Sequence, residues 1–179
     1  MNVSAYKTLA CCLLFSAASP LAYSAPVEAW GRVNMHGAII ETACAIDTLS
    51  RDQTIEMGTL PLSQIARDGR GLSRLFAIHL VRCSLIRHNA SLSNWQHFKI
   101  TFDGRNDADL FAVDGQAKGV ALEIIDDNGN VALPGNPLPA SRILAGDMRL
   151  NYSLRLVSNQ QVLHPGNYTS ALRFKMDYY

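Results

Sequence analysis

The chain has 179 residues, 48% of them hydrophobic, with 16 Lys and Arg against 15 Asp and Glu and a formal net charge of +1. That apolar share excludes a disordered chain. The near-neutral balance excludes the electrostatic footprint of a nucleic-acid binder or of a protein drawn to an anionic surface.

Residues 1–24 read as a secretory signal peptide. Met1 to Lys7 is a short n-region with one cation, and Thr8 to Ala18 is an apolar run too short to span a bilayer. Ala22-Tyr23-Ser24 places small residues where a signal peptidase reads, so the cut is predicted after Ser24. The run before Cys11 or Cys12 is too short for a lipoprotein anchor. Removal of the signal leaves 155 residues, one domain's worth, with equal numbers of acidic and basic side chains. It also leaves two cysteines, Cys44 and Cys83. In an exported protein these are expected to be oxidised to each other, and no metal site is expected from two cysteines so far apart.

Five stretches then alternate with period two, the signature of half-buried strands. Val33, Met35, Gly37 and Ile39 form one face of a stretch leading to Cys44. Phe76, Ile78 and Leu80 form one face of the next, with His79 on the solvent side. Cys83 falls on the opposite parity, which predicts a bulge or twist before it. Phe98, Ile100 and Phe102 alternate up to Asp103-Gly104. Val120, Leu122 and Ile124 alternate up to the turn Asp127-Asn128-Gly129. Leu150, Tyr152, Leu154 and Leu156 make the fifth. Residues 63–71, 87–96, 105–119 and 134–146 read as loops, with at most one helical turn over Ser63–Ala66. Trp30 and Trp95 fall in loops or ends, so neither is expected in the core.

The last stretch, Gly166 to Tyr179, is the most regular. Tyr168, Ser170, Leu172, Phe174, Met176 and Tyr178 alternate with Thr169, Ala171, Arg173, Lys175 and Asp177. It reads as one long strand introduced by the turn Pro165-Gly166-Asn167. An aromatic pair, Tyr178-Tyr179, closes it, where chain ends are ordinarily frayed and polar. Something must hold that end.

No chemistry-bearing pattern emerges. There is no nucleophile elbow, paired-His zinc motif, Cys-x-x-Cys or P-loop. His36, His79, His88, His97 and His164 are scattered. Asp103–Asp109 and Asp126-Asp127 lack the alternating oxygen ligands of a calcium loop and read as turns whose side chains bond local backbone. Arg67, Arg70, Arg74, Arg82 and Arg87 read as solvated loop and strand faces. The expectation is no enzyme, no metal and no cofactor. Short strands, turn signals and a single disulfide predict an all-β sandwich of immunoglobulin-like composition.

Three pieces resemble one family, the pilin subunits of chaperone–usher pili of the type 1 and P type. They are Val33-Asn34-Met35-His36-Gly37-Ala38-Ile39-Ile40-Glu41-Thr42-Ala43-Cys44, then Phe76-Ala77-Ile78-His79-Leu80-Val81-Arg82-Cys83, and the terminal strand, with Gly166 fourteenth from the end and Tyr178 penultimate. Ile100 to Gly104 and Gly119 to Gly129 fit the middle of the domain.

The resemblance implies an incomplete immunoglobulin-like β-sandwich lacking its final strand, with a groove beside the C-terminal strand. It divides the chain into a signal peptide (1–24), an N-terminal donor-strand extension (25–42) and a pilin domain (43–179). Val33, Met35, Gly37 and Ile39 would be the donor strand's buried face. Gly166, Tyr168, Leu172, Phe174, Met176, Tyr178 and Tyr179 would form the strand that a periplasmic pilus chaperone binds, with the Tyr179 carboxylate as its handle. An outer-membrane usher would then exchange the chaperone strand for a neighbouring pilin subunit's donor strand, placing the protein in the fimbrium at the cell surface.

Thr101-Phe102-Asp103-Gly104, Gly115-Gln116-Ala117-Lys118-Gly119 and Asp177-Tyr178 look closest to the minor subunits that terminate and anchor P-type pili. Ala25 to Arg32 is a shorter leading segment than such terminators carry. The other reading of the residues is a self-complete secreted β-sandwich that binds a carbohydrate or protein ligand, an adhesion module.

Overall fold

Alternation becomes strands in the computed structural model, which describes residues 30–179. The predicted signal peptide and the start of the predicted extension, residues 25–29, lie outside the described residues. The chain divides into two units, residues 1–38 and 39–179. In the first, residues 30–38 carry no strand, against the alternation read there, and Trp30, Val33 and Met35 are exposed. A period-two pattern is necessary for a half-buried strand, but backbone partners make it one.

The second unit holds every strand among the described residues. β1 (Ala45–Ile46), β2 (Arg74–Cys83), β4 (Asn106–Asp107), β5 (Leu110–Ala112), β7 (Val120–Asp126), β8 (Val131–Ala132) and β10 (Gly146–Ser158) form one antiparallel sheet. Its order is β1-β2-β10-β7-β5-β4, with β8 paired to β7. A second sheet has the order β12-β3-β9, from β3 (His97–Asp103), β9 (Ser141–Arg142) and β12 (Arg173–Tyr178). A small ladder joins β6 (Asp114–Gly115) to β11 (Tyr168–Thr169).

The two main sheets face each other through side chains of one parity. Phe76, Ile78 and Leu80 lie beside Tyr152, Leu150 and Met148, and Leu154 and Leu156 lie beside Ile124 and Leu122. Phe102 of the second sheet meets Phe76 and Tyr152 edge-on, at 6.3 and 5.1 Å between ring centroids, while those two rings stack on each other at 5.3 Å. This is the incomplete immunoglobulin-like sandwich that the alternation and the resemblance imply.

The predicted bulge is present. Gly146 pairs with Cys83 and Met148 with Leu80, so Val81 and Arg82 together face Asp147 alone. Arg82 adopts φ 53, and its N–H donates to the Asp147 carboxylate at 3.0 Å. The extra residue turns Cys83 inward, where it is buried and bonded to Cys44. The predicted turn after β7 also forms. The Asp126 carboxylate accepts the backbone N–H groups of Asn128 and Asn130, and Gly129 takes φ 83.

Five expectations are corrected. Trp95 does sit in a loop, yet it is buried. The guanidinium of Arg87 lies 3.4 Å from its ring centroid, so Arg87 is not a solvated loop cation. The stretches 105–119 and 134–146 contain β4, β5, β6 and β9, and they deliver Phe111, Leu138 and Ile143 to the core. Phe111 and Ile143 lie in the short unbroken apolar runs Leu110-Phe111-Ala112-Val113 and Ile143-Leu144-Ala145, and Leu138 lies between prolines, so no two-residue period marks them. Ser63–Ala66 belongs to a longer helix, α2 (Leu62–Asp68), preceded by a turn of helix, α1 (Thr48–Arg51). α2 buries Ile65 and ends on Gly69 at φ 68, whose N–H donates to the Ile65 carbonyl at 2.9 Å.

The terminal stretch is the fifth correction. It is not one strand. β11 pairs with β6, residues 170–172 pair with nothing, and β12 pairs with β3. Parity survives the break, so the apolar face remains continuous while the backbone changes partner.

Two losses are expected to be large. Phe111→Ala empties a site with no exposure and should lower stability by about 3–5 kcal/mol. Replacing both Cys44 and Cys83 by Ala opens a link spanning 39 residues and should cost about 4 kcal/mol on loop-closure entropy. Urea midpoints measured on the same preparation check both.

Candidate functional site: an apolar groove along the last strands

Residues 46–60 run antiparallel beside β2. Ile46 pairs with Leu80, the Asp47 N–H donates to the His79 carbonyl at 2.9 Å, and the Gln53 amide reaches the Ala77 carbonyl at 3.0 Å. This segment forms one wall of a groove of about 1160 Å³. Ile55, Met57 and Leu60 supply its apolar side chains. The opposite wall is Gly166 to Phe174, including Tyr168 and Leu172. Phe76, Phe102, Ile124, Leu154 and Leu156 make the floor.

Two features make this groove a place for an extended strand. First, β12 pairs with β3 along one edge only; among the described residues no strand pairs its other edge. Its free N–H and C=O groups form a template for a further strand. Second, Tyr168, Leu172, Phe174, Met176 and Tyr178 are all only partly buried although they pack against the core. Each leaves apolar surface that a covering strand would remove from water, at about 25 cal/mol per Å².

Local sequence explains how the wall is set. At Gly166 an added Cβ would lie 2.5 Å from the Gln116 Cβ and 2.9 Å from the Ala117 nitrogen, so only glycine allows this approach. Leu172 lies against Gly104, where an added Cβ would sit 2.6 Å from its methyl carbon. The Ser170 hydroxyl donates to the Ala112 carbonyl at 2.9 Å and ties down the unpaired bend.

Of the residues predicted for this strand, Gly166, Tyr168, Leu172 and Phe174 line the groove. Met176 and Tyr178 continue the same face beyond it. Tyr178 meets Trp95 edge-on at 6.1 Å, and burial raises its phenol pKa above the ordinary value. Tyr179 answers what holds the end: its N–H donates to the His97 carbonyl at 2.9 Å, and its oxygen accepts from the Gln96 and His97 N–H groups at 2.8 and 3.2 Å. Val33, Met35 and Gly37 belong to the other unit, and Ile39 and Ile40 are exposed. The wall at Ile55–Leu60 was not foreseen. The alternation Thr54-Ile55-Glu56-Met57 was its one signal, too short to separate from loop.

The site holds no cluster of catalytic type. Among the described residues no group of three or more His, Cys, Asp or Glu is placed to hold a metal ion. No helix among them is long and apolar enough to cross a membrane.

Comparisons with known proteins agree on one family. A family model described as "Fimbrial protein" matches residues 33–179. The chain is 35% identical over 150 residues to the PRS fimbrial minor pilin protein of Escherichia coli, covering 83% of this chain and 77% of that one. The PAP fimbrial minor pilin protein of Escherichia coli matches to the same extent. The fold is similar to the P pilus rod subunit PapA, with a TM-score of 0.68 at 20% identity, covering 77% of this chain and all of that one. It is also similar to a subunit of a chaperone–usher pilus structure, with a TM-score of 0.66 at 22% identity, covering 85% and 97%.

Trp95→Ala removes both the seat of Arg87 and the partner of Tyr178. The expected result is much faster amide exchange at Tyr178 and Tyr179, with a total stability loss of about 3–5 kcal/mol. Exchange in β7, remote from Trp95, should change only through that global loss.

Proposed function

The chain belongs to the fimbrial protein family, the subunits of chaperone–usher pili, and from that premise we propose that it is a structural minor subunit incorporated by strand addition. The observation that carries this is the unpaired outer edge of β12 beside the apolar groove. An extended strand laid there would satisfy the free backbone groups and place alternate side chains on the floor. Four or five such side chains gain roughly 6–15 kcal/mol gross, at about 1.5–3 kcal/mol each, before ordering costs.

In this reading a periplasmic chaperone supplies that strand first, during export. The open edge would otherwise promote aggregation. At the outer-membrane usher a neighbouring subunit's segment replaces it. This chain's own segment, with Val33, Met35, Gly37 and Ile39 inward, fills the groove of another subunit. Its lack of strand and its exposed apolar side chains support that role. The protein acts by packing rather than by catalysis.

Its position in the pilus is proposed as minor and basal, terminating or anchoring the fimbrium. The support is the likeness to two proteins named minor pilins. One observation favours a second reading, that of a subunit which accepts a successor: the groove lining continues through Leu163, His164 and Pro165 to Gly166, at the head of β11.

Deletion of residues 25–42 separates strand donation from self-completion. The deleted chain should still copurify with its chaperone and should fail to enter pili, measured by surface immunoblot. Loss of folding on deletion would instead indicate a self-complete domain. Mixing the chaperone complex with a donor-strand peptide distinguishes the two positions. A terminator should retain the chaperone, whereas a propagating subunit should release it.

A further inference from the structure

The groove is apolar along its floor, and a cation, Arg74, stands at the edge of its Met57–Gly58 wall. Arg74 opens β2 and shares the parity of Phe76, Ile78 and Leu80, the residues that face the interior. Its cross-strand neighbour, Leu154, is buried and lines the groove. The Arg74 guanidinium donates to the Met57 carbonyl at 3.4 Å, a long and weak bond, and lies 3.1 Å from where a Cβ on Gly58 would be. Met57 and Gly58 belong to one wall of the groove. Its charge also acts on the other wall: burial raises the Tyr168 phenol pKa, and Arg74 draws it back. Arg74 therefore stands beside the wall formed by residues 46–60, exposed, and no carboxylate in the described residues forms an ion pair with it. Arg51, Lys118 and Arg173 add to the basic side of the lining, against Asp52 and Glu56.

A strand laid into the groove passes this guanidinium. Removing solvent from an unpaired cation is unfavourable, whereas a carboxylate brought to it makes a charge-assisted hydrogen bond. The segment Trp30 to Ile40 of this chain carries Arg32 and His36 and no Asp or Glu. The next carboxylate, Glu41, already accepts the His88 N–H.

We propose that Arg74 selects the occupant of the groove: an extended apolar segment of a different protein, bearing an acidic side chain level with Met57 and Gly58, in preference to the segment of a second copy of this chain. The proposal rests on the strand-addition reading and adds the chemistry of the partner. A cation at the mouth disfavours self-polymerisation by leaving a homotypic contact with an uncompensated charge.

Synthetic peptides test it. The full mature chain is titrated with a peptide of residues 30–42 and with two series in which Glu or Lys replaces each of positions 33–40 in turn. At one position, or two alternate ones, the Glu peptide should bind about tenfold more tightly than its Lys counterpart, and more tightly than the unmodified peptide. Arg74→Gln should reduce that contrast to below about twofold, and Arg74→Glu should invert it. Equal binding of Glu and Lys peptides at every position overturns the proposal and leaves the groove intact as a strand site. A contrast that persists in Arg74→Gln also overturns it. Binding by none of the peptides overturns both the proposal and the strand-addition reading. If a variant fails to fold, the Glu and Lys contrast on the unaltered chain decides.

Discussion

The constraint on which the rest depends is an apolar seam that the described strands leave uncovered. The two sheets meet tightly around Phe76, Phe102 and Tyr152. Between residues 46–60 and Gly166–Phe174 a groove stays open, and β12 is left with one unpaired edge among the described residues. Leu172 and Phe174 are half-buried there because nothing among the described residues covers them. The burial that a complete sandwich would draw from this seam is missing, so stability must come from elsewhere.

Several features reinforce the remaining walls. The Cys44–Cys83 bond links the residue before β1 to the end of β2, and the Ser84 N–H donates back to the Ala43 carbonyl at 2.8 Å. The bulge at Arg82 supplies the half-turn that brings Cys83 inward. On the opposite wall, Gly166 lets β11 approach Gln116, and Trp95 seats Tyr178 beneath Arg87. Each device holds a groove wall in place without filling the groove. A binding surface made from the core's own side chains needs this arrangement, because its walls cannot collapse onto each other without losing the site.

Sequence and structure part at identifiable residues. Phe76, Ile78, Leu80, Phe98, Ile100, Phe102, Val120, Leu122 and Ile124 were legible because two-residue alternation maps directly onto the faces of a sheet. Trp95, Phe111, Leu138 and Ile143 were not, since Trp95 and Leu138 stand singly and Phe111 and Ile143 lie in short unbroken apolar runs, and neither pattern has a period of two to reveal it. The break between β11 and β12 was invisible for a related reason. Alternation reports which way side chains point and carries no information on which strand the backbone pairs with.

Arg74 shows the same limit in reverse. By parity it belonged with Phe76 and Ile78, but its charge suggested a solvated face. Only the position of the residues 46–60 wall showed that an inward cation could remain in water at a groove mouth. The sequence by itself determined the strand faces, the disulfide partners and the resemblance to pilins, because periodicity, cysteine count and motif order are properties of the chain. The tertiary structure alone decided that β12 keeps a free edge, that residues 46–60 face it across a groove, and that Arg74 stands against the Met57–Gly58 stretch of that wall. Those are relations between segments distant in the chain, set by which backbone edges find partners and which do not.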